Sequence, residues 1–324
     1  MSLPLPAPSD PILMNQTHLQ FPVTRQDFAN LAQAITSIGH LLQILVSESK
    51  RGHQNEQVRE DSLHNPAAQR LLYIKYQALA RQGVQLPSFC EAGFRVYSQS
   101  DEDGLLLLIF SQLGFTNRRC VEMAFGTPYG ANVTNLILNW GFMGLMVECK
   151  EIATSQHFFE THRDTWVYPP RVLQAWITPD NVNQLCATHG YTGPIDFFSL
   201  DMDSTDYWVW ERLTAIEPRV VVVEFNPALG PERSVTVPNR SGCREQHPHY
   251  YGASIKAFVK LARRKGYRYV GANRYGYNAF FVREDIAPAC LPEARVEDAF
   301  LHQRAQELAA TKSAELNSFE WIQV

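Results

Sequence analysis

Acidic residues close four apolar runs in this chain, and acids so placed can do chemistry. Glu122 ends the run CVE and Glu148 ends GLMVE, with a glycine turn from Gly126 to Gly130 and a helical stretch between them. Asp201 and Asp203 follow PIDFFSL, and Glu224 and Asn226 close PRVVVVEFN. If the runs are parallel strands, all these oxygens open onto one crevice beyond the strands' carboxyl ends. The glycine turn lets backbone approach a ligand, and a carboxylate after the second strand can accept from both ribose hydroxyls. Residues 120–148 therefore read as a nucleoside-binding βαβ unit. The plainer alternative is that Glu122 and Glu148 only cap the helices that follow. Asp201, Asp203, Glu224 and Asn226, once gathered, would repel one another unless a cation or proton is shared, and an oxygen-only set suits a hard cation such as Mg2+. Here too a plain alternative stands: Asp203 and Asp206 cap a helix, and Asn226 makes the turn before Pro227. The loop HPHYYGAS, folded over the crevice, would bring His249, Tyr250 or Tyr251 to a substrate, with His249 as general base. Closed zinc ligation by Cys243, His247 and His249 is disfavoured, because only three ligands lie close in sequence.

These side chains need elements to hold them. Residues 66–82 form a helix stopped by Gly83. Ser98 or Ser100 caps the next helix, whose first turn carries Asp101, Glu102 and Asp103, favourable at the positive helix end. Gln99 and Glu102 lie near where a cofactor's amino-acid end would sit, although plain capping explains the acids equally well. After Glu148, residues 153–170 read as irregular and RVLQAWI (171–177) as a third strand. PIDFFSLDMD is a fourth strand. The valine run of the fifth suits a strand covered on both faces. A helix from Ser254 to Lys265 precedes YRYVGANRYGYNAFFVRE, two antiparallel strands joined through Arg274, Tyr275 and Gly276. Residues 296–316 read as a surface helix. Strand–helix units in this order predict an α/β, mostly parallel, doubly wound sheet.

The totals narrow the function classes. The 324 residues can hold one large domain with an appendage, read as an arm and helices over 1–85 and a catalytic domain over 86–324. The formal charge of -4 has no long basic run, which argues against nucleic acid as a partner. No apolar run approaches the roughly 20 residues that span a bilayer, and the N-terminus lacks a secretory pattern, so a cytoplasmic protein with no membrane partner is expected. The six cysteines lack paired spacing, as for reduced and mostly buried thiols. Phe28, Leu31, Ile35, Ile38, Leu42 and Leu45 mark one stripe of a helix. It packs either on the chain's own domain or against a second copy, which would make a homo-oligomer through the 28–45 helix.

The order of elements, with YSQSDEDG, CVEMAFG, FFSLDMDSTDYWVW, VVVVEFNPALGPE, SVTVP and HYYGAS, resembles the class I S-adenosylmethionine-dependent methyltransferases, and within them the FkbM-like group. The resemblance covers about residues 86–285, and the order of the motifs carries it. It implies a Rossmann-like seven-stranded sheet with a terminal antiparallel hairpin, extended here by N-terminal helices. It further implies that S-adenosylmethionine is held by Gln99, Glu122, Phe125, Gly126, Glu148, Cys149, Lys150, Trp176, Ile177 and Asp201, with Glu148 on the ribose and Trp176 and Ile177 beside the adenine. Asp201 would face the methyl group, and the acid set Asp201, Asp203, Glu224 and Asn226 is similar to that of the metal-dependent O-methyltransferases. One departure is Ala124, which stands where the family pattern has its first glycine.

Methyl transfer to an oxygen or nitrogen of a small molecule, with or without Mg2+, is the leading expectation. Two alternatives stay open: a lyase or cyclase that consumes the cofactor through its own amino-acid chain, releasing methylthioadenosine, and a non-catalytic nucleoside-binding scaffold. A nicotinamide dehydrogenase is disfavoured, because Gly-x-Gly-x-x-Gly is absent after the first strand.

Overall fold

The computed structural model describes residues 66–240 and 242–324. The expected 28–45 helix lies outside them. The compact unit runs from His64 to Val324 and includes the first described helix, α1 (Pro66–Arg81). That helix is fixed by Tyr73 stacking on Phe115 and by Gln69, whose side-chain amide exchanges hydrogen bonds with that of Asn135.

The chain then follows the order α2 (Phe89–Ala92), α3 (Glu102–Leu113), β1 (Arg119–Met123), α4 (Thr134–Trp140), β2 (Met143–Glu148), α5 (Ala153–Thr161), β3 (Arg171–Gln174), α6 (Val182–Thr188), β4 (Gly193–Leu200), α7 (Asp206–Arg212), β5 (Ile216–Glu224), β6 (Val235–Thr236), α8 (Ile255–Arg264), β7 (Tyr267–Ala272), β8 (Asn278–Arg283), α9 (Gln303–Lys312) and β9 (Ile322–Gln323). Seven strands form one sheet in the order β3-β2-β1-β4-β5-β8-β7. β1 to β5 run parallel, and β8 enters antiparallel between β5 and β7. This is a Rossmann-like, doubly wound α/β sheet with an antiparallel terminal hairpin, as the order of the strand–helix units predicts.

Period-2 alternation builds both faces. Val121, Met123, Val221, Val223 and Phe281 join one core with α6, α7 and α8, whereas Cys120, Met146, Phe197, Val220, Val222 and Phe280 join the other with α3 and α4. α3 is an almost unbroken apolar run, GLLLLIF, and is buried along its length. α8 is amphipathic: Ile255, Phe258 and Leu261 turn inward, and the Ser254 hydroxyl caps it by accepting from Ala257 N–H. At the opposite end of the sheet from the acids, the buried Asp196 pairs with Arg219 at 2.9 Å and accepts the backbone N–H groups of Thr116, Asn117 and Arg118, which fixes the entry to β1.

Several local expectations change. Residues 153–161 form α5 rather than an irregular segment, and β3 stops at Gln174. The 296–316 stretch is not one helix: a 3-10 turn at Val296–Phe300 precedes α9, and a second follows at Glu315–Ser318. The final residues then fold back, with β9 pairing antiparallel to β6. All six cysteines are free, but Cys90, Cys149 and Cys290 are exposed and only the other three are buried. No helix among the described residues is long and apolar enough to cross a membrane.

Candidate functional site

The sheet reverses its winding between β1 and β4: β2 lies on one side of β1 and β4 on the other. Ligands in open α/β sheets bind outside the carboxyl ends of the strands at such a switch point, and the acids gather there. Glu122 stands next to last in β1, on the face that carries α4, opposite Ser199 of β4 in register. Its carboxylate accepts Asn132 N–H and Val133 N–H, both at 3.0 Å, and the Ser199 hydroxyl at 3.1 Å. Burial outweighs these bonds and raises its pKa to about 7.

Glu148, at the end of β2, has the opposite balance. Burial raises its pKa, but hydrogen bonds from Lys150, Gly126 and Cys149 together outweigh that cost and hold the carboxyl below its ordinary range. The donors are unevenly shared. Oε1 accepts Cys149 N–H at 2.8 Å, Lys150 N–H at 3.1 Å and the Cys149 thiol, while Oε2 accepts only Gly126 N–H at 2.9 Å. Oε2 therefore keeps acceptor capacity on the crevice side.

The turn between them needs left-handed backbone. Gly126 has φ 67°, and Ala124 holds φ 60° without being glycine. Loop 97–99 lies beside this turn: Gln99 N–H donates to Gly130 O at 3.1 Å and Gly130 N–H to Tyr97 O at 2.7 Å. Asp103 Oδ2 anchors that loop by accepting the N–H groups of Val96, Tyr97 and Ser98 at 2.7–2.8 Å. The acids of α3 thus do more than offset a helix dipole. Asp101 pairs with Arg274, and Glu102 Oε1 takes the side-chain amides of Asn273 and Asn278 at 2.9 and 3.0 Å, tying α3 to the β7–β8 hairpin.

Two cavities meet here. A crevice of about 440 Å³ is lined by Gln99, Glu122, Phe125, Gly126, Glu148, Cys149, Lys150 and Asp201. Eight of the expected cofactor residues are thereby brought together. A second cavity of about 560 Å³ is lined by Asp203, Glu224, Arg244, His249, Tyr251 and Arg304 among others, and it shares Gln99, Asp201, Asp203 and Asn278 with the first. Asp201 therefore stands at the junction.

Four expected residues depart from their assigned places. Trp176 is exposed and Ile177 packs into the core beneath α6, because the chain leaves the sheet at Gln174; neither lines the crevice. Tyr250 is buried away from the cavity: its hydroxyl donates to Glu320 O at 2.6 Å, and its ring lies against Phe319 and Trp321. Its neighbour Tyr251 lines the cavity in its stead. Asn226 spends its amide on the loop, donating to His249 O and Tyr251 O and accepting Ala228 N–H, so it positions those two residues.

Asp201, Asp203 and Glu224 each present an oxygen within 4.8 Å of the others. Burial raises the pKa of both Asp201 and Glu224, and their mutual hydrogen bond leaves Glu224 the more reluctant to ionise, so the pair shares a proton. Asp203 is ion-paired with Arg244, whose guanidinium also lies over the Tyr251 ring at 4.9 Å. The cluster is thus neutralised from within by a proton and an arginine. His249 lines the same cavity, and burial followed by nearby positive groups lowers its pKa, which keeps the imidazole neutral near pH 7.

Sequence reasoning passed over Asn132, Ser199, Arg244 and Asn278. Ser199 had a usable signal, since period-2 alternation puts it on the face of β4 that meets Glu122. Arg244 and Asn278 had none, because a long loop and a hairpin reach the crevice only through tertiary packing.

No protein-family model and no curated relative matches the chain. Among solved structures, it is similar to the pyocyanin biosynthetic protein PhzM (15% identity over 56% of this chain and 57% of that one, TM-score 0.34). It is also similar to an O-methyltransferase from Bacillus cereus in complex with SAH (17%, 66% and 89%, TM-score 0.37) and to the glycopeptide N-methyltransferase MtfA complexed with S-adenosyl-L-homocysteine (11%, 60% and 94%, TM-score 0.36). The chain spans little more than half the length of PhzM. At such values the likeness assigns neither a substrate nor a residue.

Proposed function

We propose that this protein is an S-adenosylmethionine-dependent methyltransferase acting on an oxygen or nitrogen of a small molecule. The observation that carries the reading is the pairing of two cavities at Asp201: a crevice built as a nucleoside site at the switch point, opening into a second space large enough for an acceptor. Glu148 Oε2 would take the ribose hydroxyls, while the Gly126 turn and Phe125 border the crevice. The cofactor supplies an activated methyl group with its own leaving group. The protein's part is alignment: Asp201 holds the acceptor at the junction, and the neutral His249 and the Asp201–Glu224 pair can take its proton. The separate second cavity favours an external acceptor over attack within the cofactor.

A hard cation is a second reading of the acid cluster, supported by three carboxylates within 4.8 Å. Such an ion would have to displace both the Arg244 guanidinium and the shared proton, so no step is assigned to it.

Calorimetric titration with S-adenosylmethionine tests the proposal, with and without Mg2+ and in parallel on Glu148→Ala. Saturable binding that weakens at least tenfold in the variant is expected. Failure to bind under either condition would remove the enzyme reading, and methylthioadenosine in place of S-adenosylhomocysteine as the product would replace transfer by lyase chemistry.

A further inference from the structure

Asn278 opens β8 and lines both cavities, yet it is only 5% exposed. Its side-chain nitrogen donates to Glu102 Oε1 at 3.0 Å, beside the Asn273 amide that donates to the same oxygen. That leaves Oδ1 buried with no hydrogen-bond partner in the structure. A buried acceptor left bare is unfavourable, so its place at the junction calls for a donor from a ligand.

The groups around it ask for the same. Glu224 and Asp201 face the second cavity with carboxyl oxygens, whereas the Tyr277 hydroxyl, also a lining group, is buried and unpartnered and can either accept or donate. The cations of this cavity do not answer that demand. Arg244 is committed to Asp203, and Arg304 lies over the Tyr277 ring at 4.7 Å. Tyr251, Tyr275 and Tyr277 supply aromatic surface around the space, which suits a ring or a cationic nitrogen.

We infer that the methyl acceptor is an amine, and that Asn278 is the specificity-determining residue that selects nitrogen over oxygen. The inference rests on the methyltransferase reading. The amine enters as its ammonium ion and gives one proton to His249, which lines the same cavity; the neutral amine can then give one N–H to Asn278 Oδ1 and one to Asp201 while its lone pair points at the methyl group. A hydroxyl has a single hydrogen and would leave one acceptor bare. In the transfer, the nitrogen lone pair forms the C–N bond as the C–S bond breaks, and the sulfur keeps the electron pair. The methylated nitrogen then carries one proton too many, which passes to the Asp201 carboxylate.

The test is binding, measured by calorimetry on the full chain saturated with S-adenosylhomocysteine and on the chain alone, with matched probes: benzylamine against benzyl alcohol, and 2-phenylethylamine against 2-phenylethanol. Each amine is expected to bind at least tenfold more tightly than its alcohol. Asn278→Leu is expected to erase that preference and Asn278→Asp to keep it, with circular dichroism and a cooperative thermal transition confirming that both variants fold. Equal binding of amines and alcohols, no binding of either, or a preference unchanged in Asn278→Leu would each overturn the inference. If S-adenosylhomocysteine itself fails to bind, the methyltransferase reading falls and the acceptor role with it, while the amine preference of the chain alone still decides whether Asn278 selects nitrogen over oxygen.

Discussion

Ala124 and Glu122 line the same crevice and carry opposite kinds of cost. Ala124 holds φ 60°, a conformation that costs a non-glycine residue about 1–2 kcal/mol. Ala124→Gly relieves that strain but adds unfolded-state entropy of about 0.4–1 kcal/mol, so a net gain of about 0.5–1 kcal/mol is expected, read as a higher denaturation midpoint, together with unchanged or tighter cofactor binding. Glu122 stores its cost in a proton. Its pKa rises from an ordinary 4.5 to about 7 in the folded chain, so the folded state binds that proton more tightly. Its contribution to stability is complete below pH 4.5 and is lost as pH rises through 7. Denaturant titrations at pH 5 and pH 8 are expected to show the native protein losing more stability than Glu122→Gln over this interval, by up to about 3 kcal/mol. The variant will be weaker overall, since Asn132 and Val133 N–H donate to different oxygens of Glu122 and the Gln amide would turn an NH2 donor toward one of them. A parallel pH dependence in the two proteins would remove Glu122 as the source.

The C-terminal return is the element that most changes the picture of the site. α9 brings His302, Arg304 and Leu308 to the second cavity, and the segment beyond it closes on the 235–250 loop. Tyr250 is its buckle, with its hydroxyl on Glu320 O and its ring against Phe319 and Trp321. Tyr250→Phe is expected to cost about 1 kcal/mol in stability and to leave cofactor affinity unchanged, as measured by calorimetry; a loss of cofactor binding would return Tyr250 to the site. Legibility followed locality. The parallel strands, their apolar continuity and the acids at their ends were readable because each is written in a few consecutive residues, and so was the hairpin turn at Arg274–Gly276. Residues 153–161 resisted because their helix buries only Ser155 and Phe159, which leaves almost no periodic signal. The two-residue strands β6 and β9 pair across some ninety positions, and no local pattern encodes that. The choice of Tyr251 over Tyr250 as lining residue was likewise hidden, since it depends on Asn226 holding the loop carbonyls on either side.

At the scale of the whole molecule, the crevice and its second cavity draw every lining residue from the interval between Gln99 and Leu308, within the compact unit that begins at His64. The chain before it carries six apolar residues, Phe28 to Leu45, at helical spacing. A stripe of this kind needs a partner surface, and a second copy of itself is the one that its heptad-like spacing suits. We propose that it joins copies of the chain and takes no part in the site. Light scattering on the full-length protein and on an Ile35→Asp, Leu42→Asp double variant separates the two roles. The native chain is expected to show a multiple of the monomer mass and the variant the monomer mass, because two charges one heptad apart on the stripe would have to be buried unpaired on association. S-adenosylmethionine affinity is expected to stay the same in both. A mass unchanged by the substitutions would mean that the stripe packs within its own chain, and a loss of affinity alongside dissociation would mean that the site is complete only in the assembly.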